Sequence, residues 1–290
     1  MVRLQTRLLL GLLLFAPTLA LAQPARGNLV IIGGGTRPPA IMQLIAKLAG
    51  GASGTMLVFP QASELPETGT ELDAEFKALG LGTVRIVGTD HAGADTEAVL
   101  KLTEGATGAY FAGGDQVRLM NVLHGTRLER RLHEMYRAGA VMSGTSAGAA
   151  VMSRVMITGD ERRPLKKDDN WQTIEADNVV TTDGLGFIDD AIVDQHFMRR
   201  RRHNRLISLV LEQPKLLGIA IDEETATWVK PDRTFEVVGN GPVLVIDASQ
   251  ANAVRDAGSV ALRGADLRMH VLRSGSQFDL ARRTVIRLVP

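Results

Sequence analysis

The sequence predicts an α/β domain of three layers, a mainly parallel sheet flanked by helices, with a β-rich C-terminal extension. Three observations carry that prediction. Short apolar runs alternate with amphipathic stretches through the first part of the chain, the pattern of parallel strands joined by crossover helices. From about Trp228 the helical stretches give way to short strands between turn signals. The balance of 45% hydrophobic and 22% charged residues over 290 residues suits one large core. The chain has no cysteine, which excludes disulfides, thiolate metal sites and a cysteine nucleophile together.

The first segment reads as a signal for export. Arg3 and Arg7 precede an apolar stretch from Leu8 to Ala16, too short to span a bilayer. Ala20-Leu21-Ala22 then forms an A-x-A cleavage site, so residues 1–22 are expected to be removed and residues 23–290 to form a single domain. This predicts a periplasmic or secreted bacterial protein with no membrane span after cleavage. Without Arg3 and Arg7 the balance is 31 basic against 32 acidic residues, which argues against a general nucleic-acid binder.

The strands of the parallel sheet are expected at Asn28–Ile32, Met56–Phe59, Val84–Val87, Ala109–Ala112 and Ala140–Ser143. Helices are expected between them at Pro39–Ala49, Thr70–Leu79, Asp95–Thr103, Asp115–Leu123 and Arg127–Arg137. Later strand-like runs occur at Ala191–Val193, Leu217–Ile221, Phe235–Val238, Val243–Asp247, Met269–Arg273 and Thr284–Val289. Asn240-Gly241 reads as a hairpin turn. The charged stretch Gly159–Asp169 reads as a surface loop, with a flap beside the site as the second reading.

Ligands of such sheets sit at the carboxyl ends of the strands, where the candidate residues fall. Gly144-Thr145-Ser146-Ala147-Gly148 fits G-x-S-x-G between an apolar run and a helix start. A sharp strand-to-helix turn would expose Ser146, and the helix amino end would favour an oxyanion. Serine needs a general base. Of six histidines, His196 stands out, at the end of the run Ala191–Val193 within Asp194-Gln195-His196-Phe197. His133 lies mid-helix and reads as a surface residue, and His91 and His270 have no distinctive setting. A third group should orient the imidazole, and Asp222, Glu223 and Glu224 all follow the run Leu217–Ile221. The residues alone do not choose among the three. Arg199 to Arg202 and Arg205 could grip carboxylates in two-point contacts. No H-E-x-x-H or Walker A sequence is present, and Gly33-Gly34-Gly35 lacks the G-x-G-x-x-G spacing, so neither a metal nor an organic cofactor is expected.

These motifs together resemble the cyanophycinase family of serine peptidases, which is related to the aspartyl dipeptidases and to glutamine-amidotransferase-like folds. The resemblance rests on residues 58–63 (VFPQAS), 111–119 (FAGGDQVRL), 144–149, 183–186 (DGLG), 194–197 (DQHF) with the arginines that follow, 221–226 (IDEETA) and 235–247. It implies Ser146 as nucleophile, His196 as base and Glu223 as the orienting acid. It places oxyanion donors at Gly114 and Ala147, and a substrate pocket at Gln116, Asp194, Gln195, Arg200, Arg202 and Arg205. The implied substrate is cyanophycin, a polyaspartate with arginine on each β-carboxyl, cleaved to β-Asp-Arg dipeptides. It also implies a homodimer. Other aspartyl or isoaspartyl peptides are the alternative substrates, and a non-catalytic exported binding protein is the alternative class. Thr36-Arg37-Pro38-Pro39 and Asn170-Trp171 depart from the family pattern.

Overall fold

The computed structural model describes residues 26–164, 171–255 and 258–289. The expected signal segment lies outside these residues, as do residues 165–169 of the charged stretch and Asn170. In chain order the elements are β1 (Leu29–Ile32), α1 (Pro39–Leu48), β2 (Thr55–Phe59), α2 (Thr68–Ala78), β3 (Thr83–Ile86), α3 (Glu97–Lys101), β4 (Gly108–Phe111), α4 (Gln116–Leu123), α5 (Arg127–Ala138), β5 (Val141–Thr145) and α6 (Ala147–Ala150). There follow β6 (Val155–Glu161), β7 (Val179–Asp183), β8 (Ala191–Asp194), α7 (His203–Glu212), β9 (Leu217–Ile221), β10 (Thr225–Val229), β11 (Thr234–Gly239), β12 (Val243–Asp247), β13 (Asn252–Arg255), β14 (Leu262–Ala265), β15 (Arg268–Leu272), β16 (Gln277–Asp279) and β17 (Thr284–Arg287).

A nine-stranded sheet runs in the order β17-β16-β11-β10-β1-β5-β4-β2-β3. From β1 to β3 the pairings are parallel, each needing a crossover that the helices supply. Beyond β1 the late strands continue the same sheet in antiparallel pairs. Part of the expected β-rich extension, β10, β11, β16 and β17, therefore widens the central sheet.

Strand alternation splits the core into two faces. Val30, Ile32, Met56 and Val58 pack with Ile41 and Ile45 of α1 and Leu72 and Phe76 of α2. Leu29, Ile31, Leu57 and Phe59 face the other way, toward Leu119 of α4 and Leu128 and Leu132 of α5. That second face is shared with a smaller sheet, ordered β15-β12-β9-β8. Leu217, Ile219 and Ile221 of β9 point into this common core, while Ala220 turns toward α7 with its Leu206, Leu209 and Val210. The helix starts follow local chemistry. Asp115 caps α4 by accepting the N–H of Val117 at 2.7 Å, and Thr126 caps α5 by accepting that of Glu129 at 3.2 Å.

Three expectations are corrected. Asn240-Gly241 does not close a hairpin, because β11 and β12 lie in different sheets and β11 already pairs with β10 and β16. The dipeptide instead carries the chain from one sheet to the other. Its N–H groups donate to Glu224 O at 3.0 Å and Thr225 Oγ1 at 2.7 Å. Gly159–Glu161 are not loop but the end of β6, which forms a two-stranded ribbon with β7. His133 is half-buried against the Phe187 ring, with centroids 4.9 Å apart.

Candidate active site

β5 ends at Thr145 and α6 begins at Ala147, so Ser146 alone makes the turn. Its backbone angles are φ 54° and ψ −110°, a strained combination for a non-glycine residue, worth about 1–3 kcal/mol. The surroundings hold it there. The Ser146 N–H donates to Ile32 O at 3.0 Å, tying the turn to the central strand. A β-carbon on Gly144 would lie 2.4 Å from Gly148 O, and one on Gly148 would lie 2.1 Å from Phe111 O, so both glycines are required by close approach. Gly113 and Gly114 follow the neighbouring β4, and a β-carbon on Gly113 would come 3.4 Å from Ser146 Cβ. Gly114 and Ala147 therefore flank the serine from two different turns.

His196 comes from the smaller sheet, two residues past the end of β8. Its φ of 48° bends the chain back toward β1, where its N–H donates to Gly33 O at 2.7 Å. Glu223 sits past the end of the adjacent β9, and the N–H of its neighbour Glu224 donates to Gly34 O at 2.9 Å. The Gly33-Gly34-Gly35 turn is thus the seat on which the two sheets meet. A β-carbon on Gly34 would strike the His196 ring, and one on Gly35 would lie 2.9 Å from Glu223 Cβ.

The result is a hydrogen-bonded chain. His196 Nε2 lies 2.8 Å from Ser146 Oγ, and Nδ1 lies 2.7 Å from Glu223 Oε1. A carboxylate only accepts, so Nδ1 carries the proton and Nε2 is free to accept from the serine. Burial holds the His196 pKa below its ordinary value. The hydrogen bond and charge of Glu223 pull it up, and the charges of Arg200 and Arg202 push it down. The imidazole is therefore neutral at neutral pH, the state a base requires. The other two acids are engaged elsewhere. Asp222 Oδ1 accepts the Arg199 N–H at 3.1 Å, and Glu224 Oε2 accepts from Asn240 Nδ2 at 3.0 Å.

Ser146 opens into a cleft of about 400 Å³ whose walls include Gly114, Gln116, Asp160, Gln195, Arg200 and Arg202. Gln116 is buried and its Nε2 donates to Ile157 O at 2.9 Å and Thr158 O at 2.5 Å, so it pins the β6–β7 ribbon beside the cleft. Arg202 Nη1 donates to Gln195 O at 2.7 Å and to Gln195 Oε1. Burial first, then the positive charges of Arg205 and Arg200, push the Arg202 pKa down to about 9, against the pull of Asp194. The share of that shift owed to Arg205 and Arg200 is mutual repulsion of positive charges, which an anion in the cleft would relieve.

Asp194 and Arg205 are not brought into the cleft. Asp194 is 1% exposed and Arg205 2%, and the two form a two-point pair, with Nε to Oδ2 at 2.8 Å and Nη2 to Oδ1 the second contact. The Arg205 guanidinium also stacks on the Trp171 ring, 4.9 Å from its centroid. The family resemblance places both in the substrate pocket, but packing closes them off behind Arg202, whose Nη1 lies 3.8 Å from Asp194 Oδ1. Sequence reasoning missed the glycine seat and Asp160. Three successive glycines after the first strand, more than a turn needs, were the available signal for the seat. Among the described residues, no cluster of His, Asp or Glu suits a metal ion, and no helix is long and apolar enough to cross a membrane.

Residues 29–237 match peptidase family S51. A cyanophycinase of Synechococcus elongatus is 34% identical over 267 residues, 88% of this chain and 80% of the relative. A cyanophycinase of Geminocystis herdmanii is 32% identical over 270 residues, 89% of this chain and 95% of the relative. A peptidase from an acI-B1 actinobacterium, solved by crystallography, shares the fold with a TM-score of 0.63 at 22% identity, over 88% of this chain and 98% of that one. A match through most of the chain, with relatives above 30% identity across it, settles the kinship: the chain belongs to peptidase family S51 and is a serine-type peptidase.

Proposed function

We propose that this protein is an exported peptidase that hydrolyses cyanophycin to β-Asp-Arg dipeptides through an acyl-enzyme on Ser146. The observation that carries the reading is the Ser146–His196–Glu223 chain opening onto a cleft walled by Arg200 and Arg202. The cyanophycinases among its relatives support the substrate, and the arginine walls suit the free carboxylate that each repeat of the polymer carries on its arginine.

In this mechanism His196 Nε2 takes the Ser146 proton as Oγ attacks the carbonyl. Glu223 stabilises the imidazolium that forms. The N–H groups of Gly114 and Ala147 receive the oxyanion. His196 then gives its proton to the leaving amine, and a water activated by the same imidazole hydrolyses the ester. No step calls on a metal or an organic cofactor.

Product analysis after incubation with cyanophycin tests the substrate, with β-Asp-Arg as the expected product. Cleavage of short aspartyl or isoaspartyl peptides with the polymer left intact would overturn it. Tight binding of the polymer with no hydrolysis of either would favour a binding protein. Export rests on residues 1–22 of the sequence. Terminal sequencing of protein recovered from periplasm or medium should begin at Gln23, and retention of Met1 in the cytoplasm would contradict it.

A further inference from the structure

The cleft has an acidic side that neither the catalytic chain nor the arginines use. β6 and β7 pair in register from Val155↔Asp183 to Ile157↔Thr181, lose register, and meet again at Glu161↔Val179. The bulge between these points holds Thr158, Gly159 and Asp160. Gly159 has φ 111°, a conformation that favours glycine. Gln116 anchors the bulge from one side through the Ile157 and Thr158 carbonyls. On the other side Thr158 Oγ1 donates to Val180 O at 3.1 Å. A bulge gives up ladder hydrogen bonds and re-aims a side chain, and such bulges gather beside active sites.

What this bulge presents is Asp160. It is exposed and lines the same cleft as Ser146, Arg200 and Arg202. Its Oδ2 lies 3.2 Å from Thr158 Oγ1, and among the described residues no arginine or lysine pairs with it. Of the other acids beside the cleft, Asp194 is occupied by Arg205, and Asp115 accepts the N–H groups of Val117 and Arg118. Among the described residues the cleft therefore offers Arg200, Arg202 and, at Asp160, a carboxylate with no basic partner.

We propose that Asp160 is a specificity-determining residue that receives the guanidinium of the substrate's arginine, while Arg200 and Arg202 receive a carboxylate. The inference rests on the reading of the site as one for β-Asp-Arg units. A carboxylate matches a guanidinium in a two-point contact, which a neutral side chain of the same shape does not make.

The test compares soluble β-Asp-Arg oligomers with the same oligomers carrying citrulline, a neutral isostere, for arginine. The wild type should favour arginine by about 10–100-fold in kcat/KM, the range of a hydrogen bond to a charged group. Asp160→Asn should lose most of that preference through KM, with kcat/KM falling much less on the citrulline oligomer than on the arginine one, and Asp160→Glu should restore part of it. A preference kept in Asp160→Asn, or an equal loss on both oligomers, would overturn the role of Asp160. So would a wild type that cleaves both oligomers equally, although the substrate reading would survive. A wild type that cleaves neither, yet hydrolyses short α-aspartyl peptides, would overturn the substrate reading and this inference with it.

Discussion

A β-carbon on Gly34 would stand 2.2 Å from Cε1 and 2.3 Å from Nε2 of His196. The imidazole thus occupies space that only glycine leaves at that position. Gly34→Ala should push the ring off Ser146 and lower kcat by about 100-fold, the scale of a displacement near 1 Å. The φ of 111° at Gly34 adds strain, expected to lower stability by about 1–3 kcal/mol. Steady-state kinetics and a thermal melt on the purified variant check both.

Glu223 differs from its two acidic neighbours by its contact with His196. Glu223→Gln keeps a hydrogen-bonding group but loses the charge and the tautomer control, and should lower kcat by about three to four orders of magnitude. Asp222→Asn and Glu224→Gln keep an oxygen that accepts from the Arg199 N–H and from Asn240 and lose only a charge away from His196, so they should change kcat by less than about tenfold. The three variants assayed side by side distinguish them.

The pH profile follows from the His196 environment. The base must be neutral, so kcat/KM should rise with pH through the His196 pKa and level off above it. Burial, which outweighs the pull of Glu223, puts that rise below pH 6.5. Arg200 pushes the pKa down, so Arg200→Gln should move the rise to higher pH. Glu223 pulls it up, so Glu223→Gln should move the residual activity's rise lower still. Shifts in the opposite directions would contradict the assignment.

Asp194 and Arg205 should show themselves in stability. Asp194→Ala leaves the Arg205 guanidinium buried without its partner, and should destabilise the fold by about 3–5 kcal/mol in a denaturant titration. Arg200→Ala, on an exposed side chain, should change stability by less than about 0.5 kcal/mol while raising KM.

What is legible in the sequence is what is local. The turn at Ser146 is set by glycines two residues to either side, and the parallel strands announce themselves as apolar runs between helices. The choice among Asp222, Glu223 and Glu224 is not local, because all three are chemically alike and only the seat at Gly33–Gly35, far away in sequence, decides which one meets His196. Asn240-Gly241 has hairpin chemistry, but pairing partners are set by sheets that form elsewhere in the chain. Charge at Asp194 and Arg205 suggests exposure, and only the packing of Trp171 over Arg205 reveals a buried pair. Asp160 hides in a charged stretch whose strand character depends on pairing with β7 and on the Gln116 side chain.

Turnover by purified Ser146→Ala is the decisive measurement on the nucleophile. Its kcat should fall by about 10⁶ with the fold intact, the scale on which members of a catalytic triad fail as a unit. Hydrolysis at near the wild-type rate would contradict it.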